Sequence, residues 1–248
     1  MPLFDTEYSS SHTTSGSGFH FSGAKLSSLG ASEYTLVGIA ADRSPSVQDF
    51  AAEIEGCLGS SLEGCQRSPR VDNLLVRLTA FNEHLEEIHG FRPLADCHLG
   101  SYPGFLKPGG RATALYDAST ELVDSLATYG KLLSDQDYTV NGLVVILTDG
   151  MDNASKFRPD DVTAALARAK KAESLESIVT ILIGINVTDP TVSDFLRRFK
   201  DEGGFQQYVE AKDASAKTFA KIAGFISKSV SSQSQSVGSK QASQPVAF

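Results

Sequence analysis

Two uninterrupted apolar stretches, each followed by an aspartate, constrain the fold most strongly. The first covers residues 34–41 and leads into Asp42, and the second begins at Leu143 and leads through Thr148 into Asp149. Short, continuous apolar runs of this kind are typical of strands buried on both faces, as in a parallel sheet. Open α/β sheets bind ligands at the carboxyl ends of their strands. The sequence therefore predicts that both aspartates lie at that edge.

Asp42 is also the first residue of an Asp-x-Ser-x-Ser segment, residues 42–46, which precedes a predicted helix. Pro45 favours a helix start because its fixed φ and missing N–H are tolerated there. Apolar residues then recur at helical spacing, at Val47, Phe50, Ala51, Ile54, Cys57, Leu58 and Leu62. The segment offers only oxygen ligands, which suit Mg²⁺ better than Zn²⁺ or Cu²⁺. In isolation, the same residues are more often a helix cap that binds no metal.

A third stretch, residues 109–118, is a Gly-Gly loop that runs into a helix and contains Thr113. The Asp-x-Ser-x-Ser segment, Thr113 and Asp149, in that order, resemble the metal-ion-dependent adhesion site (MIDAS) of the von Willebrand factor type A (vWA) family. The resemblance covers roughly residues 33–230. The resemblance is specific because three separated motifs match in order and in structural context.

The chain departs from the family pattern in the glycine loop. The family commonly has the threonine directly after Gly-Gly, whereas Arg111 and Ala112 intervene here. Thr113 is aligned because Thr-Ala-Leu-Tyr-Asp-Ala matches the family's continuation. Arg111 is then near the site, where it either favours an acidic partner or points into solvent.

The resemblance implies a complete set of metal ligands. Ser44, Ser46 and Thr113 would bind a divalent cation directly, and Asp42 and Asp149 would bind it directly or through water. Mg²⁺ is the favoured cation, with Mn²⁺ and Ca²⁺ as alternatives, because it takes six oxygens and keeps several waters. Such a site leaves the cation under-neutralised. We therefore expect a partner protein to contribute a Glu or Asp carboxylate.

The order of elements predicts an α/β fold, a three-layer doubly wound Rossmann-like sandwich with a mostly parallel six-stranded sheet. Residues 71–81 and 87–91 predict a hairpin that places one antiparallel strand at the sheet edge. The resemblance further implies that the strands ending in Asp42 and Asp149 are neighbours.

Composition divides the chain into a vWA domain and two tails. Residues 1–20 are rich in Ser, Thr and Gly and are expected to be mobile, and residues 231–248 are expected to form a disordered Ser/Gln-rich tail. Residues 21–230 would form the vWA domain. A chain of 248 residues with 41% hydrophobic residues can bury a sizeable core, and a single domain with two tails is the simplest interpretation.

Several functional classes are disfavoured. The net charge of −8 argues against nonspecific nucleic-acid binding. No apolar run approaches the roughly 20 residues of a membrane span, and the N-terminus lacks the features of a secretory signal. Three cysteines without metal-type spacing favour a reduced, cytoplasmic protein.

Other side chains have simpler expected roles. His84, His89 and His98 match no metal-binding spacing and are expected at the surface. Tyr102 and Phe105 lie in a loop before Thr113 and are candidate contacts at the rim of the site, with packing against the domain as the alternative.

Together these features predict a metal-dependent protein-interaction domain rather than an enzyme, in an intracellular adaptor or assembly subunit. The family resemblance extends to stress-response systems. The alternative is a Mg²⁺-dependent hydrolase or phosphatase that uses Asp42. Such enzymes usually carry a second acidic residue two positions on, where this chain has Ser44, and a phosphate-binding Lys that is not evident. A nucleotide-binding Rossmann domain is weaker because no Gly-x-Gly-x-x-Gly is present, and a metal-free structural domain stays open.

Overall fold

A computed structural model describes residues 9–97, 100, 102–171, 174–237 and 246–248. The strands are β1 (Ser9–Thr13), β2 (His20–Ala24), β3 (Glu33–Asp42), β4 (Leu74–Phe81), β5 (Leu85–Pro93), β6 (Thr139–Thr148), β7 (Ser177–Gly184) and β8 (Gln207–Glu210). The helices are α1 (Ala51–Gln66), α2 (Leu115–Ser134), α3 (Pro159–Lys171), α4 (Pro190–Glu202) and α5 (Ala216–Ser236).

The strands form one mostly parallel sheet in the order β1-β2-β5-β4-β3-β6-β7-β8. β3 pairs in parallel with β4 on one side and with β6 on the other. The strand that ends in Asp42 is therefore the neighbour of the strand that precedes Asp149. This arrangement confirms the predicted α/β fold and the predicted neighbourhood of these two strands.

Helices cover both faces of the sheet and create two apolar core layers. Val37, Ile39 and Ala41 of β3 belong to the layer that also contains residues of α1 and α5. Leu36 and Ala40 belong to the opposite layer, which contains residues of α2, α3 and α4. Because both faces of β3 are buried, its sequence is continuously apolar rather than alternating.

Within the described residues, the sheet has eight strands instead of the expected six, and the expectation that residues 1–20 are mobile is wrong for residues 9–13 and 20, which lie in strands. β1 and β2 form an antiparallel hairpin that adds to the sheet beside β5. The antiparallel strand β5 is consequently internal and is not the edge. The hairpin is ordered by tertiary contacts, since Tyr129 donates a hydrogen bond to Ala24 O at 2.7 Å. Residues 1–8 of the same expectation lie outside the described residues.

The expectation of a disordered tail from residue 231 is wrong for residues 231–236, because α5 continues to Ser236. Gln233 is buried and donates a hydrogen bond to Gly142 O at 2.9 Å. Asn141 donates one to Gln233 O at 3.1 Å. These amide contacts with β6 hold a polar sequence in the helix. Residues 238–245 of the predicted tail lie outside the part that the structure describes.

Two further observations concern membrane-spanning helices and the cysteines. Among the described residues, no helix has the length and apolar character needed to cross a membrane. The three cysteines, Cys57, Cys65 and Cys97, are unpaired and buried.

Candidate metal centre

Asp42 forms the base of the candidate site, at the carboxyl end of β3. Its side chain is fully buried. Oδ1 accepts a hydrogen bond from the Ser44 N–H at 2.7 Å, and Oδ2 accepts one from the Thr148 hydroxyl at 2.7 Å. Thr148 is within reach because β6 lies directly beside β3. Both carboxylate oxygens are thus held in place by the two neighbouring strand ends.

The two serines connect this base to Asp149. The hydroxyls of Ser44 and Ser46 lie 3.0 Å apart, and the Ser46 hydroxyl donates to Asp149 Oδ1 at 2.8 Å. Ser44 is buried and Ser46 is exposed, so the row of oxygens leads from the interior to the surface. Ser44 precedes the 3-10 helix Pro45–Phe50 but its side chain caps none of that helix's N–H groups. The capping role considered for this segment is therefore not observed for Ser44.

Thr113 approaches the same edge of the sheet from the glycine loop. Its N–H donates to Asn153 Oδ1 at 2.7 Å, and its carbonyl accepts from the Asn153 N–H at 3.0 Å. Gly110 in that loop has φ of +87°, and a Cβ there would lie 2.5 Å from Asn82 Nδ2, so the turn requires glycine. Side-chain hydrogen bonds join Ser44, Ser46 and Asp149, and the Asp42 carboxylate is joined to Ser44 through the Ser44 backbone N–H. Thr113 is attached to the segment after Asp149 through its backbone.

Burial makes negative charge costly at this site. It raises the pKa of Asp42 to about 6, although hydrogen bonds from Thr148 and Ser44 lower it and the charge of Asp149 raises it further. Burial also raises the pKa of Asp149, against the hydrogen bond from Ser46. A bound cation would favour the charged form of both carboxylates.

The donor set fits a small hard cation. Neighbouring oxygens of Ser44, Ser46 and Asp149 are separated by 3.0 and 2.8 Å. Adjacent ligands of an octahedral Mg²⁺ with bonds of about 2.05 Å are separated by about 2.9 Å. Across the described ranges, no group of three or more His, Cys, Asp or Glu side chains could hold a metal ion. The cluster instead combines two carboxylates with hydroxyls, which favours Mg²⁺ over softer metals.

Tyr102 and Phe105 pack against the domain, which was the alternative to contacts at the rim, and the expectation that His89 lies at the surface is wrong. Tyr102 is buried, and its hydroxyl lies 2.8 Å from His89 Nε2, with the two rings stacked. His89 is only 2% exposed, so it is not a surface histidine. The two residues are separated by a loop, and no sequence period indicates their contact. Phe105 is half-buried and packs against the core, and His84 is exposed as expected. His98 lies outside the described residues.

Arg111 is exposed, and its backbone N–H donates to Glu83 Oε2 at 2.9 Å. This contact fixes the glycine loop at a position two residues before Thr113. The guanidinium group of Arg111 is therefore carried on an anchored backbone.

Comparison with solved structures shows the same fold in several proteins. A mutant of the PilB minor pilin from Streptococcus sanguinis matches with a TM-score of 0.57 and 16% identity, over 88% of this chain and 66% of the pilin. The pilus adhesin SpaC from Lactobacillus rhamnosus GG matches with a TM-score of 0.55 and 13% identity, over 90% of this chain and 33% of the adhesin. Proximal thread matrix protein 1 from the mussel byssus, in a form with a zinc-occupied MIDAS motif, matches with a TM-score of 0.53 and 17% identity, over 81% of this chain and 46% of that protein.

No family model matches the chain, and a search of curated proteins gives no match either. The chain spans about two thirds of the pilin and a third of the adhesin. Identities of 13–17% show the fold alone, which is vWA-like.

Proposed function

We propose that this vWA-like domain binds a partner protein through a divalent cation, with Mg²⁺ favoured and a Glu or Asp carboxylate of the partner as the incoming ligand. The observation that carries the proposal is the hydrogen-bonded connection of Asp42, Ser44, Ser46 and Asp149. The Ser44 N–H donates to Asp42 Oδ1 at 2.7 Å, and the side-chain oxygens of Ser44, Ser46 and Asp149 follow at separations of 3.0 and 2.8 Å. The cation would supply the positive charge that attracts the partner's carboxylate.

The same residues suggest how the ligand set is divided. Ser44, Ser46 and Thr113 would bind the cation directly. Both oxygens of Asp42 already accept hydrogen bonds, from Ser44 and Thr148, which favours a role for Asp42 through water. Asp149 is less buried and would act directly or through water.

A binding function is favoured over catalysis by Asp42. A carboxylate that is fully buried, with both oxygens engaged, is unsuited to attack a phosphate. The Ser44 hydroxyl lies 3.0 Å from the Ser46 hydroxyl, which is not a general base. We therefore propose a non-enzymatic domain.

We propose that the domain works in the cytoplasm as an adaptor or assembly subunit. Three free, buried cysteines support this location because secreted proteins more often pair theirs. The alternative is the cell exterior, which the similarity in fold to a pilin and a pilus adhesin favours. Fractionation of source cells, followed by detection of the native protein with an antibody, decides between them.

The metal site is tested by calorimetric titration of the chelator-treated full chain with Mg²⁺ and with Mn²⁺. We expect the wild type to bind, and Ser46→Ala and Asp149→Asn to weaken binding by about tenfold or more, as changes around a metal site commonly do. Ser61→Ala is the matched control, because Ser61 is a buried hydroxyl of α1 that bonds to Cys57 O, away from the site. A wild type that takes up neither ion, or variants that bind as well as Ser61→Ala, would overturn the proposal.

The carboxylate is tested with a short peptide that carries a single Glu and with its Gln counterpart. In the presence of Mg²⁺, we expect the Glu peptide to shift the amide resonances of Ser46 and Asp149, and the shift to disappear with chelator. Equal shifts from the Gln peptide would rule out carboxylate recognition while leaving the metal site intact.

A further inference from the structure

Helix α2 begins two residues after Thr113, and its N-cap residue provides no side-chain hydrogen bond to the first turn. Its N-cap residue is Ala114, whose side chain makes no capping hydrogen bond. The first amides of a helix lack partners within the helix and need acceptors from elsewhere. In this chain the Tyr116 and Asp117 N–H groups both donate to the Ser155 hydroxyl oxygen at 3.0 Å. The cap of α2 therefore comes from the loop that follows Asp149.

The capping is reciprocal. Asp117 is 7% exposed, and its Oδ1 accepts hydrogen bonds from the Lys156 N–H at 2.9 Å and the Phe157 N–H at 2.8 Å. Asp152 Oδ1 accepts from the Ser155 hydroxyl and, at 3.3 Å, from the Tyr116 N–H. We call Asp117, Asp152 and Ser155 the clasp, since they fasten the first turn of α2 to the loop after β6.

The clasp joins the two segments that carry Thr113 and Asp149. Asp149 directly follows β6, so the sheet fixes its position. Thr113 lies in a loop outside the sheet, and its backbone is bonded to Asn153, which directly follows Asp152 of the clasp. The hydrogen bonds of the clasp connect the same two segments as the direct bonds between Thr113 and Asn153, and lie next to them in sequence.

We propose that the clasp is a positioning device that sets Thr113 relative to Asp149 and so determines cation affinity. This inference rests on the proposed function. It differs from the common role of an acidic residue in the first turn of a helix, which is to interact by its charge with the helix dipole. The Asp117 carboxylate accepts from two backbone amides of another loop, and those bonds need an acceptor oxygen rather than a charge.

Conservative and non-conservative variants separate the two roles. Asp117→Asn keeps the acceptor oxygen and removes the charge, whereas Asp117→Ala removes both. Ser155→Thr keeps the hydroxyl, and Ser155→Ala removes it. If the clasp positions Thr113, the two alanine variants lose about tenfold or more in Mg²⁺ affinity, and the Asn and Thr variants stay within about threefold of the wild type.

The control is Asp124→Ala, which removes another buried carboxylate of α2, bonded to Arg168 at 2.9 Å and outside the clasp. We expect it to lower the unfolding temperature without changing Mg²⁺ affinity beyond about twofold. A second readout is amide hydrogen exchange in the metal-free protein. Loss of protection at Thr113, Lys156 and Phe157 in Asp117→Ala, but not in Asp117→Asn, supports the clasp.

Each outcome bears on a different part of the proposal. Equal losses of affinity in Asp117→Asn and Asp117→Ala would show that the negative charge of Asp117 matters rather than its acceptor oxygen. That result would overturn the proposed positioning role. Unchanged affinity in both alanine variants, with exchange protection lost, would show that the clasp is structural only and would overturn its positioning role. A wild type that binds no Mg²⁺ overturns the proposed function and the effect on affinity together, and the exchange data then report on the clasp alone.

Discussion

Two buried ionisable side chains show how burial acts at the scale of single residues. Burial raises the pKa of Asp42 to about 6 and lowers the pKa of His89 to about 4, because in each case it disfavours the charged form. The His89 Nδ1 lies 3.0 Å from Gly90 O, which can only accept, so Nδ1 carries the proton. Nε2 then accepts from the Tyr102 hydroxyl. The folded protein therefore holds His89 neutral.

This neutral histidine predicts a loss of stability in acid. Its folded pKa of about 4 lies below its ordinary value of 6.5, so the unfolded chain takes up the proton first. The contribution is fully present above pH 6.5 and is lost as the pH falls towards 4, by about 2–3 kcal/mol between pH 7 and 4.5. Asp42 acts in the opposite direction, because its raised pKa makes the folded state the better proton acceptor. Urea unfolding at both pH values measures the sum.

His89→Gln isolates the histidine. Its amide oxygen can still accept from Tyr102 but does not titrate, and Asp42 and the other carboxylates are unchanged in the variant. We expect the wild type to lose more stability than His89→Gln between pH 7 and 4.5. Equal losses in the two proteins would show that His89 is already protonated, or is accessible, in the folded state.

What the sequence predicts at this scale depends on the range of the interaction. The sequence predicts Asp42 and Asp149 at one edge of the sheet because parallel strands bring their carboxyl ends together there. The strands themselves are evident from their continuous apolar runs. The contact of His89 with Tyr102 joins β5 to a loop, and that of Thr113 with Asn153 joins two loops. Such contacts have no period along the chain, so no pattern indicates them.

At the scale of elements, tertiary contacts decide whether a polar segment is ordered. The β1–β2 hairpin is rich in Ser, Thr and Gly, which alone indicates mobility. Its Phe21 is 3% exposed, lies edge-on to Phe91 and Tyr129, and is covered by the Arg77 guanidinium at 5.6 Å. Ser22 also donates to Glu87. Contacts of Phe21, Ser22 and Ala24 with the rest of the domain therefore order a strand whose composition alone indicates mobility.

Phe21→Ala is expected to destabilise the protein by about 3–5 kcal/mol, because it leaves a cavity between two aromatic rings. Urea unfolding measures the change. Amide exchange would locate it, with protection lost first in β1 and β2 while the six other strands keep theirs. Phe19→Ala in the same hairpin is the control, since Phe19 is only half-buried and should cost about 1 kcal/mol. A loss as small as the control's would mean that Phe21 does not anchor the hairpin.

At the scale of the whole molecule, the candidate site depends on two strands that lie about a hundred residues apart in sequence. β3 and β6 pair from Glu33 with Thr139 to Ala41 with Leu147. This parallel ladder forms only when the domain has folded. In the unfolded chain, Asp149 is far from the segment that carries Asp42 and Ser46, so the site for a cation is not formed. Binding of the cation should therefore stabilise the entire fold.

The last prediction follows from that coupling. At a Mg²⁺ concentration of 100 times Kd, binding adds about 2.7 kcal/mol to the free energy of unfolding. For a domain of this size, that corresponds to a rise in Tm of about 5–10 °C. Thermal unfolding of the chelator-treated protein with and without Mg²⁺ measures the shift, and Ser46→Ala should reduce it strongly because it removes an exposed side chain that we propose as a ligand. The same rise in wild type and Ser46→Ala would mean that Mg²⁺ stabilises the acidic surface nonspecifically. The shift would then come from the net charge of −8 rather than from the oxygen cluster.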